Sequence, residues 1–182
     1  MRIVGGTAKG RKLFAPEGLD TRPTADRVRE SVFNILSTRV PDARVLDLFS
    51  GSGAMALEAL SRGAAFAALV DASRAAFGVI RRNVDLVGWN DRCLLVNRDW
   101  RAALERLSGD AFSLVFLDPP YRMTEVYGEA ATALWGRGLL TEDAILVMER
   151  RTGVPIPIPE GFEIFDERKY GEATVAFVRR TL

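Results

Sequence analysis

Histidine is absent from this chain of 182 residues. That removes imidazole metal ligands, histidine-based triads and the usual neutral-pH general base. Any base must therefore be a carboxylate, a lysine or a backbone carbonyl. Cysteine is nearly absent too: Cys93 stands alone, which excludes an intrachain disulfide and a thiolate metal cluster. No run approaches the roughly 20 apolar residues that a bilayer-crossing helix needs. Gly and Lys interrupt the N-terminus before a signal-peptide pattern can develop. The expectation is a soluble cytoplasmic protein with no membrane partner and no metal.

A 48% hydrophobic share with 9% aromatics is enough for a well-buried core. The net charge is only +1, yet residues 1–12 hold Arg2, Lys9, Arg11 and Lys12 and no acid. A basic arm on a near-neutral body suggests a local contact with a polyanion, or simply a soluble edge.

Residues 2–14 read as a short β-hairpin: Ile3 and Val4, then Gly5-Gly6, then Arg11 to Phe14. A loop containing Pro16 and Gly18 follows. Thr24 is expected to cap a helix running to about Arg39, with Val28, Val32, Ile35 and Leu36 on one face. From Arg44 strands and helices alternate. Strands are expected at 44–49, 66–70, 92–97, 112–117 and 144–149, and helices at 53–62, 73–87, 100–107 and 125–135. Near-continuously apolar strands such as Leu114-Val115-Phe116-Leu117 suit a parallel sheet covered on both faces. In such a doubly wound, Rossmann-like α/β layout, ligands sit beyond the carboxyl ends of the strands.

After Pro155, Pro157 and Pro159, two further strands (162–169 and 173–180) lie too close together for a helical crossover, so they must pair antiparallel. A mostly parallel sheet of seven strands ending in an antiparallel hairpin is the class I methyltransferase layout. It is not that of nicotinamide-binding domains. Residues 1–40 are expected to form an extension of hairpin and helix, and residues 41–182 the main domain.

Val45-Leu46-Asp47-Leu48-Phe49-Ser50-Gly51-Ser52-Gly53 is a strand entering a glycine turn and then a helix. Gly51 and Gly53 let backbone approach a ligand closely. Gly-x-Gly alone is a weak signal. Asp47, inside the strand, sharpens it: its carboxylate would oppose a pyrophosphate but suits the ammonium of a methionine moiety. Asp47, Phe49, Gly51 and Gly53 are therefore candidate contacts for S-adenosylmethionine. Asp71, ending the second strand, can accept from both hydroxyls of a ribose. Asp99 is placed either to take an adenine amine or to cap the helix that follows. Trp100 reads as core.

Asp118-Pro119-Pro120-Tyr121 closes the fourth strand. Two prolines fix two φ angles and withhold two amide donors, leaving nearby carbonyls free and rigidly aimed. Asp118 and the Pro119 carbonyl can accept from an exocyclic base amine, and Tyr121 offers a face on which a base can stack. The base must leave its stack to reach such a pocket.

The sequence also resembles a known family. The residues that carry the likeness are Arg2-Ile3-Val4-Gly5-Gly6, Lys9-Gly10-Arg11-Lys12-Leu13, the segment from Arg22-Pro23-Thr24 through Arg27-Val28-Arg29 to Asn34, Asp47 to Gly53, Asp118 to Tyr121, and Lys169-Tyr170-Gly171. Together they are similar to the RsmD-type 16S ribosomal RNA (guanine-N2) methyltransferases over essentially the whole chain. The resemblance implies methyl transfer from S-adenosylmethionine to a guanine of 16S ribosomal RNA, on the small subunit or an assembly intermediate. It further implies RNA contacts from Arg2, Lys9, Arg11, Lys12, Arg22, Arg27 and Arg29, some of which can instead order the pocket. Adenine-N6 in DNA or a protein glutamine amide would present the same kind of amine to Asp118.

Overall fold

The computed structural model describes residues 1–17, 23–107, 109 and 111–181, positions 23 and 24 by backbone alone. In chain order the elements are α1 (Pro23–Ile35), β1 (Arg44–Asp47), α2 (Ala54–Ser61), β2 (Phe66–Val70), α3 (Arg74–Val87), β3 (Cys93–Val96), α4 (Trp100–Leu104), β4 (Phe112–Leu117), α5 (Val126–Gly136), β5 (Leu140–Arg151), β6 (Phe162–Tyr170) and β7 (Ala173–Arg180). A short 3-10 turn at Asn90–Arg92 precedes β3.

The strands form one seven-stranded sheet in the order β3-β2-β1-β4-β5-β7-β6. Strands β1 to β5 pair in parallel, and β7 runs antiparallel to both β5 and β6. This is the class I methyltransferase arrangement expected from the sequence, with its reversal point between β1 and β4, where parallel α/β sheets place their ligands. The hairpin closes at Gly171 (φ 65°) and Glu172, between the paired residues Tyr170 and Ala173.

Buried apolar side chains form two layers. One, against α4 and α5, includes Leu46, Val115, Tyr127 and Leu146. The other gathers Val45, Leu57, Phe116, Val147 and Phe177 with Ile3, Leu13, Val32 and Phe33. The N-terminal residues therefore share a core with one face of the sheet.

Several boundaries differ from the sequence reading. The N-terminal hairpin forms as a short one, an antiparallel bridge of Arg2 with Lys12 flanked by the Ile3 N–H to the Arg11 carbonyl (3.0 Å) and the Leu13 N–H to the Met1 carbonyl (3.1 Å). The segment also docks on α2: the Thr7 N–H donates to the Ser61 carbonyl (2.8 Å), and Ser61 Oγ donates to the Gly5 carbonyl (2.6 Å). At Gly6 (φ 76°) a Cβ would run into the Ser61 carbonyl, so this close docking requires glycine.

Helix α1 starts at Pro23, where a proline forfeits no helical hydrogen bond, so Thr24 lies inside the helix instead of capping it. It stops at Ile35, and residues 36–40 turn through tighter bonds such as Arg39 N–H to the Leu36 carbonyl (2.8 Å). Strand β5 is longer than expected. Its charged ends hide the pattern, while pairing of Phe112 with Leu140 and of Arg151 with Ala173 extends it both ways. Among the described residues, no helix is long and apolar enough to cross a membrane.

Candidate active site

Beyond the carboxyl ends of β1, β4 and β5 lies a cavity of about 350 Å³. Its floor comes from the strands: Asp47 and Phe49 at β1, Phe116 and Asp118 at β4, Val147 and Glu149 on β5. One wall is the glycine loop with Gly51 and Ser52. The roof is α1, through Ala25, Val28, Arg29 and Val32, and Tyr170 closes the far side. Ser31 and Tyr170 share a hydrogen bond of 2.7 Å, which fastens the roof to the β6–β7 turn.

The glycine loop is firmly built. The Gly53 N–H donates to the Ser50 carbonyl (2.6 Å), and the Gly51 N–H donates to Asp71 Oδ2 (2.8 Å). Gly51 and Gly53 both have positive φ, 56° and 80°. At Gly53 a Cβ would lie 2.9 Å from a Leu69 methyl carbon, so a side chain there is excluded twice over. Asp71 holds the loop with one oxygen and accepts the Ser73 N–H with the other (2.9 Å). Each oxygen keeps a second acceptor site.

Asp99 accepts the Arg101 N–H (3.0 Å) and caps α4, the bland half of its two readings; it is exposed. Neither Asp71 nor Asp99 lines the cavity, although Asp71 touches its wall through Gly51. Trp100 is buried in the core, as expected.

The electrostatics of the cavity are one-sided. Asp47 is 3% exposed, and burial, aided by Asp71, pushes its carboxyl up to about 7. Asp118 opens to the cavity, but protein surrounds it on most sides. That desolvation, then the neighbouring charges of Glu149 and Asp47, raises its carboxyl well above the ordinary range. Glu149 is raised by burial as well. Two crowded, partly dehydrated carboxylates resist ionising together. Three acids on three adjacent strands therefore face one cavity, an environment that favours a cationic guest.

Glu149 was missed in the sequence. Its signal is the alternation Val147-Met148-Glu149, which acquires meaning only once β5 is known to lie beside β4. Tyr121 does not line the cavity and is 53% exposed; partial burial, then the charges of Glu149 and Asp118, push its phenol up. Pro119 is buried and Pro120 exposed. Cys93 is half-buried on β3, where burial pushes its thiol up to about 12, far from a reactive thiolate. Among the described residues, no group of three or more cysteine or acidic side chains is disposed to hold a metal ion.

The basic candidates separate into kinds. Lys9, Arg11 and Lys12 on the arm and Arg27 on α1 are exposed. Arg2 is exposed while pairing loosely with Asp26 (3.4 Å). Arg22 lies outside the described residues.

Arg29 is a correction: it is not an exposed RNA contact. It is 5% exposed, donates to the Arg2 carbonyl (2.6 Å) and to Asp26 (2.7 Å), and lies 3.6 Å from Glu58. Glu58 is fully buried, accepts the Val4 N–H (2.8 Å), and pairs with Arg62 (2.7 Å). An acid placed in the middle of the apolar helix AMALEALS was the clue that a buried cation had to meet it. Arg29 thus joins arm, roof and α2.

The model of a family described as conserved hypothetical protein 95 matches residues 1–179. Ribosomal RNA small subunit methyltransferase D of Escherichia coli is 36% identical over 182 residues, spanning 99% of this chain and 90% of that protein. The protein of the same name from Haemophilus influenzae is 28% identical over 173 residues, spanning 94% and 89%. Among solved structures, yhhF from Escherichia coli superposes with a TM-score of 0.86 at 34% identity, over 99% of this chain and 97% of its own. A conserved hypothetical protein of Streptococcus pyogenes does so with a TM-score of 0.76 at 35% identity, over 84% and 95%.

Proposed function

The chain belongs to the conserved hypothetical protein 95 family, the RsmD family, and from that membership we propose that it methylates the exocyclic N2 amine of a guanine in 16S ribosomal RNA. The methyl donor in this reading is S-adenosylmethionine, and the substrate is the small subunit or its assembly intermediate. One observation carries it: the glycine loop with Asp47 and the amine-accepting Asp118 open into the same cavity. The relatives named ribosomal RNA small subunit methyltransferase D supply the polymer.

The residues fit such a donor. Asp47, buried without a cation, is matched to an ammonium, while the bare backbone at Gly51 and Gly53 leaves room for the chain that carries it. Asp71 keeps acceptor capacity beside the loop for ribose hydroxyls, and Phe49 supplies an apolar wall. Such a donor, held there, would supply a methyl carbon on a cationic sulfur able to leave with the C–S bonding pair.

The protein's own work is placement. Pro119 and Pro120 fix the backbone, so Asp118 and the Pro119 carbonyl hold the amine in line with the methyl carbon. The nitrogen becomes positive as it bonds, and Asp118 with Glu149 favours that charge in a cavity that sheds water. The proton then passes from nitrogen to Asp118, whose raised affinity suits the task. No histidine is required. Tyr121, exposed three residues after Asp118, provides the face for a base turned out of its stack.

The test is to incubate the protein with methyl-labelled S-adenosylmethionine and small subunits from cells lacking the activity, then digest the RNA to nucleosides. Label in N2-methylguanosine is the expected result. Label in N6-methyladenosine or in protein glutamine would overturn it.

A further inference from the structure

Glu149 stands where it can do more than add negative charge to the cavity. Leu117 of β4 pairs with Met148 of β5, so the next residues, Asp118 and Glu149, are neighbours on adjacent strands, which lie about 4.8 Å apart. Side chains alternate along a strand, and both acids project on the side of Phe116 and Val147, into one cavity. The Tyr127 hydroxyl, itself buried against the core, donates to the Glu149 carbonyl and pins the backbone there. Among the described residues, neither the Asp118 nor the Glu149 side chain has a hydrogen-bond or ion-pair partner. Two acceptors thus stand side by side, unspent.

One acceptor suffices to hold an amine. The second discriminates between amines. On guanine, the N2 amine sits beside the N1–H, so two adjacent donors face outward. On adenine the N6 amine sits beside N1, and on cytosine the N4 amine sits beside N3, each neighbour an acceptor. A glutamine amide likewise sets its NH₂ beside a carbonyl oxygen. With both carboxyls ionised beside a cationic donor, the second acceptor rewards the first pattern and repels the other three.

We propose that Glu149 is the guanine-reading residue, accepting the N1–H while Asp118 and the Pro119 carbonyl hold the neighbouring N2 amine; this rests on the guanine-N2 reading above. An unsatisfied acceptor pair would be the penalty for every wrong base.

The experiment uses a base that keeps the amine but loses the N1–H together with O6, the loss of O6 being common to wild type and variant. Once the wild-type protein has marked its guanine, small subunits are reconstituted with RNA carrying 2-aminopurine at that position. The wild type is expected to prefer guanine over 2-aminopurine by about ten- to hundredfold in kcat/KM. In Glu149→Leu the loss on guanine should far exceed the loss on 2-aminopurine, bringing the ratio near one. Glu149→Gln, whose carbonyl oxygen still accepts the N1–H, should restore part of the preference. S-Adenosylmethionine affinity reports whether each variant is folded, and Glu149→Ala replaces the leucine variant if that one is not.

Equal losses on both substrates would assign Glu149 a merely structural role and overturn the proposal. So would an undiminished preference for guanine in the variant. Failure of the underlying reading looks different: the wild type would then place no label in N2-methylguanosine.

Discussion

The cavity and the N-terminal arm carry opposite charges, and their arginines and acids are spent differently. In the cavity Asp47, Asp118 and Glu149 crowd together without a free cation, and burial drives all three carboxyls upward. On the arm Lys9, Arg11 and Lys12 point into solvent. Between the two regions Arg29, Asp26, Glu58 and Arg62 neutralise one another and are largely buried. Charges left unpaired are available to a ligand, whereas paired and buried ones hold the parts in register. A net charge of +1 conceals this division.

The sharpest way to break the comparison is at the cavity floor. Asp118→Ala is expected to lower kcat by roughly 10²–10³-fold while S-adenosylmethionine affinity, read by titration calorimetry, stays near that of the wild type. A variant with near-normal turnover would remove Asp118 from the mechanism.

The joint comes next. Arg29→Met leaves Glu58 buried with less compensation, which should cost about 3–5 kcal/mol of stability, measured by urea unfolding. A change below about 0.5 kcal/mol would return Arg29 to the solvent-facing class.

The donor side of the cavity makes a pH-dependent prediction. The Asp47 carboxyl is raised in the folded protein, so the fold holds its proton more tightly than the unfolded chain does. Its favourable contribution is complete below the ordinary carboxylate range, is lost as pH rises through about 7, and amounts to on the order of 4 kcal/mol. A bound ammonium reverses that loss by pairing with the ionised form. Added S-adenosylmethionine should therefore raise Tm more at pH 8 than at pH 6, and affinity should fall as pH drops through about 7. Asp47→Asn should weaken binding by about ten- to hundredfold and abolish the pH dependence. A pH-independent thermal shift in the wild type would contradict the assignment.

The smallest effect belongs to the roof. Ser31→Ala removes the bond to Tyr170 and should cost about 1 kcal/mol, seen as a rise in KM for subunits with kcat nearly unchanged.

How much of this was legible in the sequence depends on the range of the interaction. The alternation of strands and helices and the closing hairpin followed from local signals: apolar runs, glycines at helix ends and a tail too short for a crossover. Asp47 and Asp118 stood out because each is bound to a short motif that restricts the backbone around it. Glu149 did not, since its meaning comes from a neighbour 31 positions away that only the β4–β5 pairing brings close. Arg29 was misassigned for the same reason. The family resemblance suggested RNA or an ordering role, and Glu58 in α2 and the Arg2 carbonyl hold it to the second. The hairpin of the arm was legible locally, but its docking was not: Ser61 of α2 and Asn83 of α3 hold it, with Asn83 accepting the Phe14 N–H (2.8 Å) and donating back to its carbonyl (2.9 Å).

The division of labour between cavity and arm is tested most directly by the salt dependence of small-subunit binding. Affinity for subunits would be measured across salt concentrations, beside affinity for S-adenosylmethionine, in the wild type and in a variant with Lys9, Arg11 and Lys12 all changed to alanine. Three lost phosphate contacts should make the slope of log affinity against log salt shallower by about 2, with cofactor affinity unchanged. An unchanged slope, or a parallel loss of cofactor binding, would contradict it.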